Sequence, residues 1–401
     1  MIFFQDEKKL STITYENLLS KVNSYNKFNT VIKEDNADVF FVKLIFNLCY
    51  NIDTVIIDND ASINERTGNV EDFLTRFNKD KVIFETWNDL LEQLLKTTSK
   101  ISIFTSGTTG EPKKIIHSAR KFIDMARIGE KYSNNIWAYL YNPTHMAGLQ
   151  VFFQALLNKN TIIYLFQCTK REFVDSCKKN IITNISATPT FYKLLSPFNF
   201  KLESVKKCTL GGEKSNPELI NSLNSVFPNA SIFNIYASTE AGSLFISKGD
   251  LFKVIDSLQD KVKFIENEIV IHKSLLGEFD KKEWFYTGDI VEFINEEKKE
   301  FKIVSRKSDT INIGGNRINL LEVEQEINNI KGVLNTLVYA IDNSILGKII
   351  VAEIITSIEY SKKEFKTLLK DSLPNYKIPT KINFVEELEV TRTGKIKRST
   401  K

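Results

Sequence analysis

The fold class is decided by one segment, Ile101-Ser102-Ile103-Phe104-Thr105-Ser106-Gly107-Thr108-Thr109-Gly110-Glu111-Pro112-Lys113-Lys114. Its isoleucine-rich start predicts a β-strand, and the hydroxyls, glycines and lysines that follow predict a loop. Amides that can turn inward, hydroxyl donors and a mobile cation suit a polyphosphate, although simple surface turns share this composition. It is not a Walker A loop, because Gly107 and Gly110 are too close and Gly-Lys-Ser/Thr is missing. This excludes GTPases and P-loop ATPases.

Short β-rich runs and helical stretches alternate on both sides of this segment. Strands are expected at 54–58, 101–104, 161–166, 181–186 and 231–236, and helices at 120–132, 170–178, 190–195 and 217–226. Such alternation over about two hundred residues is typical of α/β proteins with a mainly parallel sheet. We therefore predict a large N-terminal domain of parallel-sheet α/β layers.

The pattern changes after Leu251. Residues 254–271 and 284–304 predict antiparallel ribbons, with a charged turn at 296–299. After Arg306 we expect a polar loop to Arg317, a helix at 320–330, strands around Leu337 and Val351, a helix at 361–373 and a strand near Ile382. These form a small α+β domain. The predicted domains are residues 1–306, which include the β-ribbon subdomain, and residues 307–401, which are mobile.

Composition places the chain among ordinary globular proteins. It has 401 residues, of which 42% are apolar and 26% charged, and its four cysteines lack metal-ligand spacing. The most apolar run, 39–50, is too short to cross a membrane, and the first residues do not resemble a signal peptide. We expect a cytoplasmic protein with buried thiols, no membrane span and no nucleic-acid partner. Residues 361–401 hold 11 Lys+Arg against 5 Asp+Glu, which indicates either an anionic partner or simply solvated lysines.

Further motifs accompany the first segment in a fixed order. They are Leu210-Gly211-Gly212-Glu213, Tyr236-Ala237-Ser238-Thr239-Glu240, Tyr286-Thr287-Gly288-Asp289, the run from Arg306 through Asp309 and Gly314-Gly315 to Glu322-Val323-Glu324, and Thr391-Arg392-Thr393-Gly394-Lys395-Ile396-Lys397-Arg398. Together they resemble the adenylate-forming superfamily of acyl-CoA synthetases, nonribosomal peptide adenylation domains and firefly luciferase. The resemblance covers roughly residues 101–401.

The resemblance implies a two-step ligase that joins a carboxylate to the α-phosphate of ATP, expels pyrophosphate and passes the acyl group to a thiol. Because two anions must meet, cations and a metal are required. The first segment then holds the β- and γ-phosphates. By resemblance its ATP-binding residues are Thr105, Ser106, Gly107, Thr108, Thr109, Gly110 and Lys113.

The resemblance also assigns the middle motifs. Tyr236 stacks on adenine beside Ala237 and Ser238, Thr239 touches the α-phosphate as a catalytic residue, and Glu240 holds Mg²⁺. Each residue of such a run could equally cap a strand. Magnesium prefers few protein carboxylates and several phosphate oxygens, which suits a single glutamate.

The nucleoside has its own expected contacts. Asp289 accepts hydrogen bonds from both ribose hydroxyls, and Arg306 binds the same sugar. Gly211, Gly212 and Glu213 form the loop beside the adenine, where absent side chains allow close approach.

Two residues are expected to face the reacting carboxylate. Lys395 bridges the carboxylate and the α-phosphate and neutralises the charge that develops. His145, in Asn142-Pro143-Thr144-His145-Met146-Ala147-Gly148-Leu149, resembles the acyl-site histidine of the family, although a lone histidine is often structural. The aspartate by which relatives hold an amino acid is not seen here, so an amino acid substrate is not expected.

The second half-reaction involves the C-terminal domain, which rotates in the superfamily. Ser308 aligns with the hinge, and Gly314 and Gly315 line a channel for a pantetheine arm. The acceptor is CoA or the phosphopantetheine of an acyl carrier protein.

Several segments are shorter than in many relatives, among them the residues ahead of the phosphate loop. We expect a shallower acyl pocket and a small aliphatic or aryl acid as substrate. The leading hypothesis is an AMP-forming acid–CoA ligase. The alternatives are a stand-alone adenylation enzyme that loads a carrier protein and a non-catalytic nucleotide-binding relative.

Overall fold

A computed structural model describes residues 1–58, 82–105, 113–215, 217–280, 282–313, 316–343 and 347–388. The strands are β1 (Ile2–Asp6), β2 (Ser11–Thr14), β3 (Val31–Lys33), β4 (Thr54–Ile57), β5 (Lys100–Thr105), β6 (Lys113–Ser118), β7 (Ile136–Tyr139), β8 (Thr161–Tyr164), β9 (Asn184–Ala187), β10 (Lys207–Gly211), β11 (Ser231–Ser238), β12 (Gly242–Ser247), β13 (Phe252–Lys253), β14 (Val262–Ile265), β15 (Glu268–His272), β16 (Trp284–Asn295), β17 (Glu300–Arg306), β18 (Thr310–Ile313), β19 (Asn316–Asn319), β20 (Val333–Asn343), β21 (Gly347–Thr356) and β22 (Lys381–Phe384). The helices are α1 (Tyr15–Ser24), α2 (Ala37–Cys49), α3 (Trp87–Leu95), α4 (Ala119–Met125), α5 (Met146–Leu157), α6 (Lys170–Lys179), α7 (Pro189–Leu194), α8 (Pro217–Val226), α9 (Leu320–Asn328) and α10 (Lys362–Leu369).

The chain divides into two compact units. The first comprises Met1–Thr188, Phe200–Gly249 and His272–Glu283. The second comprises Pro189–Asn199, Asp250–Ile271 and Trp284–Lys401, the last as far as it is described. The predicted boundary between residues 306 and 307 divides the chain differently and stays a prediction.

The first unit contains an eight-stranded sheet in the order β12-β11-β10-β9-β7-β8-β1-β2. The six inner strands are parallel, and the edge strands β12 and β2 are antiparallel to their neighbours. From β7 the chain proceeds to β8 on one side and returns to β9 on the other. The predicted parallel α/β architecture is confirmed.

A second sheet of the first unit has the order β3-β4-β5-β6. Its core partner is α2, formed by the apolar run 39–50, which is buried nearly all round as such a helix must be. The rings of Phe41 on α2 and Phe152 on α5 stack at 4.5 Å with an interplanar angle of 4°. Phe3 of β1 contacts both rings edge-on. Aromatic packing therefore joins the helices to the eight-stranded sheet.

The second unit contains the predicted ribbons and the small α+β part. β13, β17, β16, β15 and β14 form one sheet, and residues 296–299 connect β16 to β17 as predicted. β20, β21 and β22 form a three-stranded sheet against which α9 and α10 pack through Val323 and Phe365. The predicted helices and strands of this part are confirmed.

The helix predicted at 120–132 is wrong in its second half, because α4 ends at Met125. Two side chains, one in α5 and one directly after it, form hydrogen bonds with the backbone that follows α4. The amide of Arg127 donates to Gln154, that of Gly129 donates to Asn158, and both side chains return bonds to the Arg127 carbonyl. Long-range hydrogen bonds replace the helical ladder. Most other predicted elements shift by four residues or fewer.

The polar loop predicted up to Arg317 is also wrong. Residues 310–313 and 316–319 form the antiparallel strands β18 and β19, in which Ile311 pairs with Ile318 and Ile313 with Asn316. Ile318 is buried, and Ile311 and Ile313 pack against the same core. The alternating isoleucines are a strand pattern that the polar residues between them obscured.

Substitution of Phe41 tests the aromatic core. Phe41→Ala should lower the free energy of unfolding by about 3–5 kcal/mol, because it removes a buried ring and leaves a cavity. Urea unfolding followed by circular dichroism measures the loss. Leu10→Ala, at a side chain that is 91% exposed, should change stability little. Equal effects of the two substitutions would contradict the assigned core.

Candidate functional site

The carboxyl ends of the parallel strands form the centre of the candidate site. The segments that follow β7, β9, β10 and β11 begin at one edge, because these strands are parallel neighbours. The chain reverses its direction of progress between β7 and β9, and ligands bind at such switch points. The structure therefore brings together three predicted groups, the His145 segment, Gly211 to Glu213 and Tyr236 to Glu240.

The Tyr236–Glu240 motif ends β11 and turns into β12. Ser238 pairs with Gly242, and the Ser238 hydroxyl accepts a hydrogen bond from the amide of Ala241 at 3.1 Å. Thr239 and Glu240 thus lie at the tip of a tight turn. The Tyr236 ring stacks on Phe245 with centroids 5.5 Å apart. This ring has a fixed orientation, as an adenine platform requires.

The tip is held by two residues that the sequence analysis missed. His117 Nε2 lies 2.8 Å from the Thr239 carbonyl oxygen, and the Gly277 amide donates to the Glu240 carbonyl at 2.7 Å. A Cβ at Gly277 would lie 2.6 Å from the His117 ring, so only glycine fits beside it. Neither residue had a sequence signal beyond its own type.

Burial dominates the electrostatics beneath this tip. His117 is fully buried, and burial together with the nearby Lys121 lowers its pKa to about 4. Burial lowers the pKa of Lys121 to about 8, while its ammonium group donates to the Leu275 carbonyl at 2.8 Å. His117 is therefore a neutral ring at pH 7, suited to hold a carbonyl rather than to carry charge.

The two glycines predicted to lie beside the adenine, Gly211 and Gly212, differ in whether the structure requires glycine. Gly212 has φ of +83°, a conformation that favours glycine. A Cβ at Gly211 would meet its nearest neighbour, the Ile235 carbonyl oxygen, at an ordinary 3.6 Å. The packing of the protein does not require glycine there. The missing side chain leaves space for a ligand.

His145 precedes the first turn of α5 as its N-cap residue. Its Nε2 lies 3.6 Å from Asp58 Oδ2, and both side chains are largely buried. Asn142 donates to Asp58 Oδ1 at 3.1 Å, and the Thr144 hydroxyl donates to the same oxygen. One carboxylate therefore orders the whole predicted acyl loop.

Asp58 was missed by the sequence analysis. It follows β4 of the other sheet of the same unit, so both sheets contribute to the site. The available signal was a carboxylate directly after a buried four-residue strand. Spacing along the chain could not show that residues 58 and 145 are in contact.

Gly148 packs closely against the predicted acyl loop. A Cβ there would clash with the Asn142 carbonyl oxygen and lie 2.8 Å from the Tyr139 hydroxyl. Tyr139 itself is fully buried, and burial raises its pKa. The first turn of α5 thus packs directly on the loop that carries His145.

The two described ends of the phosphate segment lie on the antiparallel strands β5 and β6. Thr105 and Lys113 are paired across the two strands, so both ends of the predicted loop are adjacent. Ser106, Gly107, Thr108, Thr109 and Gly110 lie outside the described residues. β4 and β5 are parallel, so Thr105 and Asp58 emerge at the same edge of their sheet.

The predicted ribose residues lie in the second unit. Asp289 and Arg306 are opposite each other on β16 and β17, with Arg306 Nε 3.4 Å from Asp289 Oδ1. The turn before Asp289 is constrained by Gly288, whose φ is +80°, and by Thr287, whose hydroxyl donates to the Ile269 carbonyl. The carboxylate and the guanidinium group are therefore ordered together.

The remaining assignments cannot be placed. Lys395, Gly314 and Gly315 lie outside the described residues. Ser308 belongs to the 3-10 turn Lys307–Asp309, at the end of β17.

Glu322 and Glu324, which end one of the motif runs, have structural contacts. Glu322 pairs with Lys377 at 2.5 Å, and Glu324 accepts from the amide of Val338.

Within the described ranges, no three His, Cys, Asp or Glu side chains are arranged to hold a metal ion. Across the same ranges, no helix has both the length and the apolar character needed to span a bilayer.

Comparison with known families and structures gives a consistent result. The model of AMP-binding enzymes matches residues 53–264, and that of the AMP-binding enzyme C-terminal domain matches residues 322–395. The o-succinylbenzoate CoA synthetase of Bacillus subtilis, solved with an acyl-adenylate, has a TM-score of 0.69 at 19% identity, with 99% of this chain and 94% of that chain covered. ATP-bound MatB from Rhodopseudomonas palustris has a TM-score of 0.71 at 14% identity, with 98% and 94% covered. At such identities these likenesses support the fold.

Curated relatives add sequence similarity. The 2-succinylbenzoate–CoA ligase of Staphylococcus epidermidis is 26% identical over 331 residues, which cover 74% of this chain and 68% of the relative. The 4-hydroxybutyrate–CoA ligase 1 of Metallosphaera sedula is 26% identical over 373 residues, which cover 78% and 65%. The prediction of an ATP-dependent, AMP-forming acid–thiol ligase is confirmed, and the chain belongs to the family of AMP-binding enzymes.

Proposed function

We propose that this enzyme activates a small carboxylic acid with ATP, releases pyrophosphate, and transfers the acyl group from the adenylate to CoA. The observation that carries the proposal is the common edge of β7, β9, β10 and β11. The His145 segment, the glycine loop and the Tyr236–Glu240 turn all follow or end strands that finish at this edge, which supports the proposal. An acid and a nucleotide need adjacent sites if they are to react.

Charge determines the roles of the remaining residues. The carboxylate and the triphosphate repel each other, so cations must lie between or around them. Lys113 and Lys395 supply two positive charges, the latter between the reacting groups. A magnesium ion held by Glu240 supplies further neutralisation of phosphate oxygens when bound. Asp289 and Arg306 fix the ribose, and Tyr236 fixes the base.

The acid is assigned to the segment around His145. Asp58 lies 3.6 Å from the imidazole ring and orders the loop before it by accepting hydrogen bonds from Asn142 and Thr144. Gly148 packs the first turn of α5 tightly on this segment. The shortened segments ahead of the phosphate loop favour a short acid over a long chain. Among the relatives, those named for 2-succinylbenzoate and 4-hydroxybutyrate favour this choice, whereas a relative from Staphylococcus haemolyticus named as a putative long chain fatty acid–CoA ligase favours a longer acid.

A carrier protein is the second candidate acceptor. The basic excess of residues 361–401 favours it, because a positive surface attracts an acidic partner. A relative of this kind is bacitracin synthase 3 of Bacillus licheniformis, 24% identical over 339 residues, 74% of this chain and 5% of that protein. Assays with free CoA and with a holo-carrier protein distinguish the two acceptors. A panel of acids in ATP–pyrophosphate exchange identifies the substrate, and best turnover on a C16 acid would exclude a small-acid enzyme.

Replacement of Lys395 tests the proposed chemistry. Lys395→Ala should abolish acid-dependent ATP–pyrophosphate exchange, because no other residue is assigned between the two anions. Thiol transfer from a preformed acyl-adenylate should continue. Lys397→Ala, two residues away, is the matched control and should retain both steps. Equal loss of both steps in Lys395→Ala would contradict the assigned role.

Asp58 tests the acid site. Asp58→Asn should raise the KM for the acid about tenfold, since hydrogen bonds to a charged group contribute about 1.5–3 kcal/mol. The KM for ATP should stay within twofold. The control Asp124→Asn removes an exposed carboxylate that pairs with Arg120 and should change neither constant. A rise in the KM for ATP instead would place Asp58 in nucleotide binding.

His117 leads to a prediction of how the stability of the protein depends on pH. Its pKa is about 4 in the folded protein and ordinarily 6.5, so below pH 6.5 the unfolded chain takes up a proton that the folded chain does not. Stability should fall as the pH drops from 6.5 to 4, by on the order of 3 kcal/mol from this group. Urea unfolding at several pH values should show a weaker fall for His117→Gln. An unchanged fall in that variant, or the same weakening in His272→Gln, would refute the assignment.

A further inference from the structure

Glu268, the first residue of β15, is a buried carboxylate without a role so far. Only 2% of the residue is exposed. Its Oε1 accepts a hydrogen bond from the Gly288 amide at 2.7 Å, and its Oε2 lies 2.6 Å from the Lys307 ammonium nitrogen. Buried carboxylates are rare unless paired, and this one is satisfied at both oxygens.

The two partners of Glu268 flank the predicted ribose residues. Gly288 directly precedes Asp289, and Lys307 directly follows Arg306. Asp289 and Arg306 are themselves opposite each other on neighbouring strands. One carboxylate therefore contacts a chain neighbour of each residue of the Asp289–Arg306 ion pair.

The contact with Gly288 orients Asp289. With φ of +80°, Gly288 adopts a conformation that only glycine takes freely, and its amide direction is set by Glu268. The contact with Lys307 supplies the counter-charge that a buried carboxylate requires. The hydrogen bond from Lys307 to Glu268 raises the pKa of the lysine, so the lysine is positively charged at neutral pH.

We propose that Glu268 is a positioning residue for ribose recognition, and that it makes this recognition depend on Lys307, the first residue after β17. The inference rests on the proposed role of Asp289. Loss of Lys307 leaves the carboxylate buried without its counter-charge, which weakens its hold on the Gly288 turn. A residue that does not touch the nucleotide thereby controls how the ribose is bound.

The test compares binding of ATP with binding of 2′,3′-dideoxy-ATP, which lacks the ribose hydroxyls. Isothermal titration calorimetry with Mg²⁺ gives the Kd of each. Glu268→Gln and Lys307→Met should each raise the Kd for ATP about fivefold, at the lower end of typical coupling between sites. Neither should change the Kd for dideoxy-ATP. The double variant should raise the Kd for ATP no more than the single variant with the larger effect, because both substitutions remove the same contact.

The matched control is Lys302→Met. Lys302 lies on β17, is exposed to a similar degree and pairs with Asp250 at 2.9 Å. It should leave both Kd values unchanged. Equal weakening of both ligands in Glu268→Gln or Lys307→Met, additive losses in the double variant, or an effect of Lys302→Met as large as that of Lys307→Met would overturn the proposal.

Asp289→Asn separates this proposal from the proposed function. If Asp289→Asn removes the preference for ATP over dideoxy-ATP and the Glu268 and Lys307 variants keep it, only the positioning role is wrong. If Asp289→Asn leaves the preference intact, the ribose assignment fails and the positioning role fails with it.

Discussion

The parallel alignment of β7, β9, β10 and β11 is the constraint on which the candidate site depends. Parallel strands end at the same edge, so segments that are up to a hundred residues apart in sequence become neighbours. The chain reverses direction between β7 and β9 and leaves a crevice where the His145 segment begins. The aromatic packing of α2 and α5 holds the eight-stranded sheet in this arrangement. The candidate site at the strand ends thus depends on the packing of the apolar core.

The residues around this edge are supported mainly by uncharged contacts. Neutral His117 and the Gly277 amide hold the backbone carbonyl oxygens of the Thr239–Glu240 turn, so these contacts do not use the Glu240 carboxylate. The acyl loop is different, because the Asp58 carboxylate orders it. In the second unit, Glu268 plays a similar part beside Asp289. Buried carboxylates that order loops recur in the molecule, whereas the groups assigned to the nucleotide lie nearer the surface.

Sequence patterns predicted the architecture and the motif residues because both are local. Strand 101–104, helix 217–226 and the 296–299 turn each follow from composition and periodicity within a few residues. The helix at 120–132 failed because Gln154 and Asn158, distant in sequence, capture its backbone. Asp58, His117 and Glu268 were missed for the same reason. Each acts through a contact with residues 20 or more positions away, which no local pattern encodes.

Gly148 has a consequence for redesign of the enzyme. The helix turn behind His145 leaves no room for even a methyl group, because the Asn142 carbonyl oxygen and the Tyr139 hydroxyl already occupy that space. The packing at this position is tight, and mutagenesis cannot change it by small steps. Any larger residue at position 148 would instead displace the loop that carries His145.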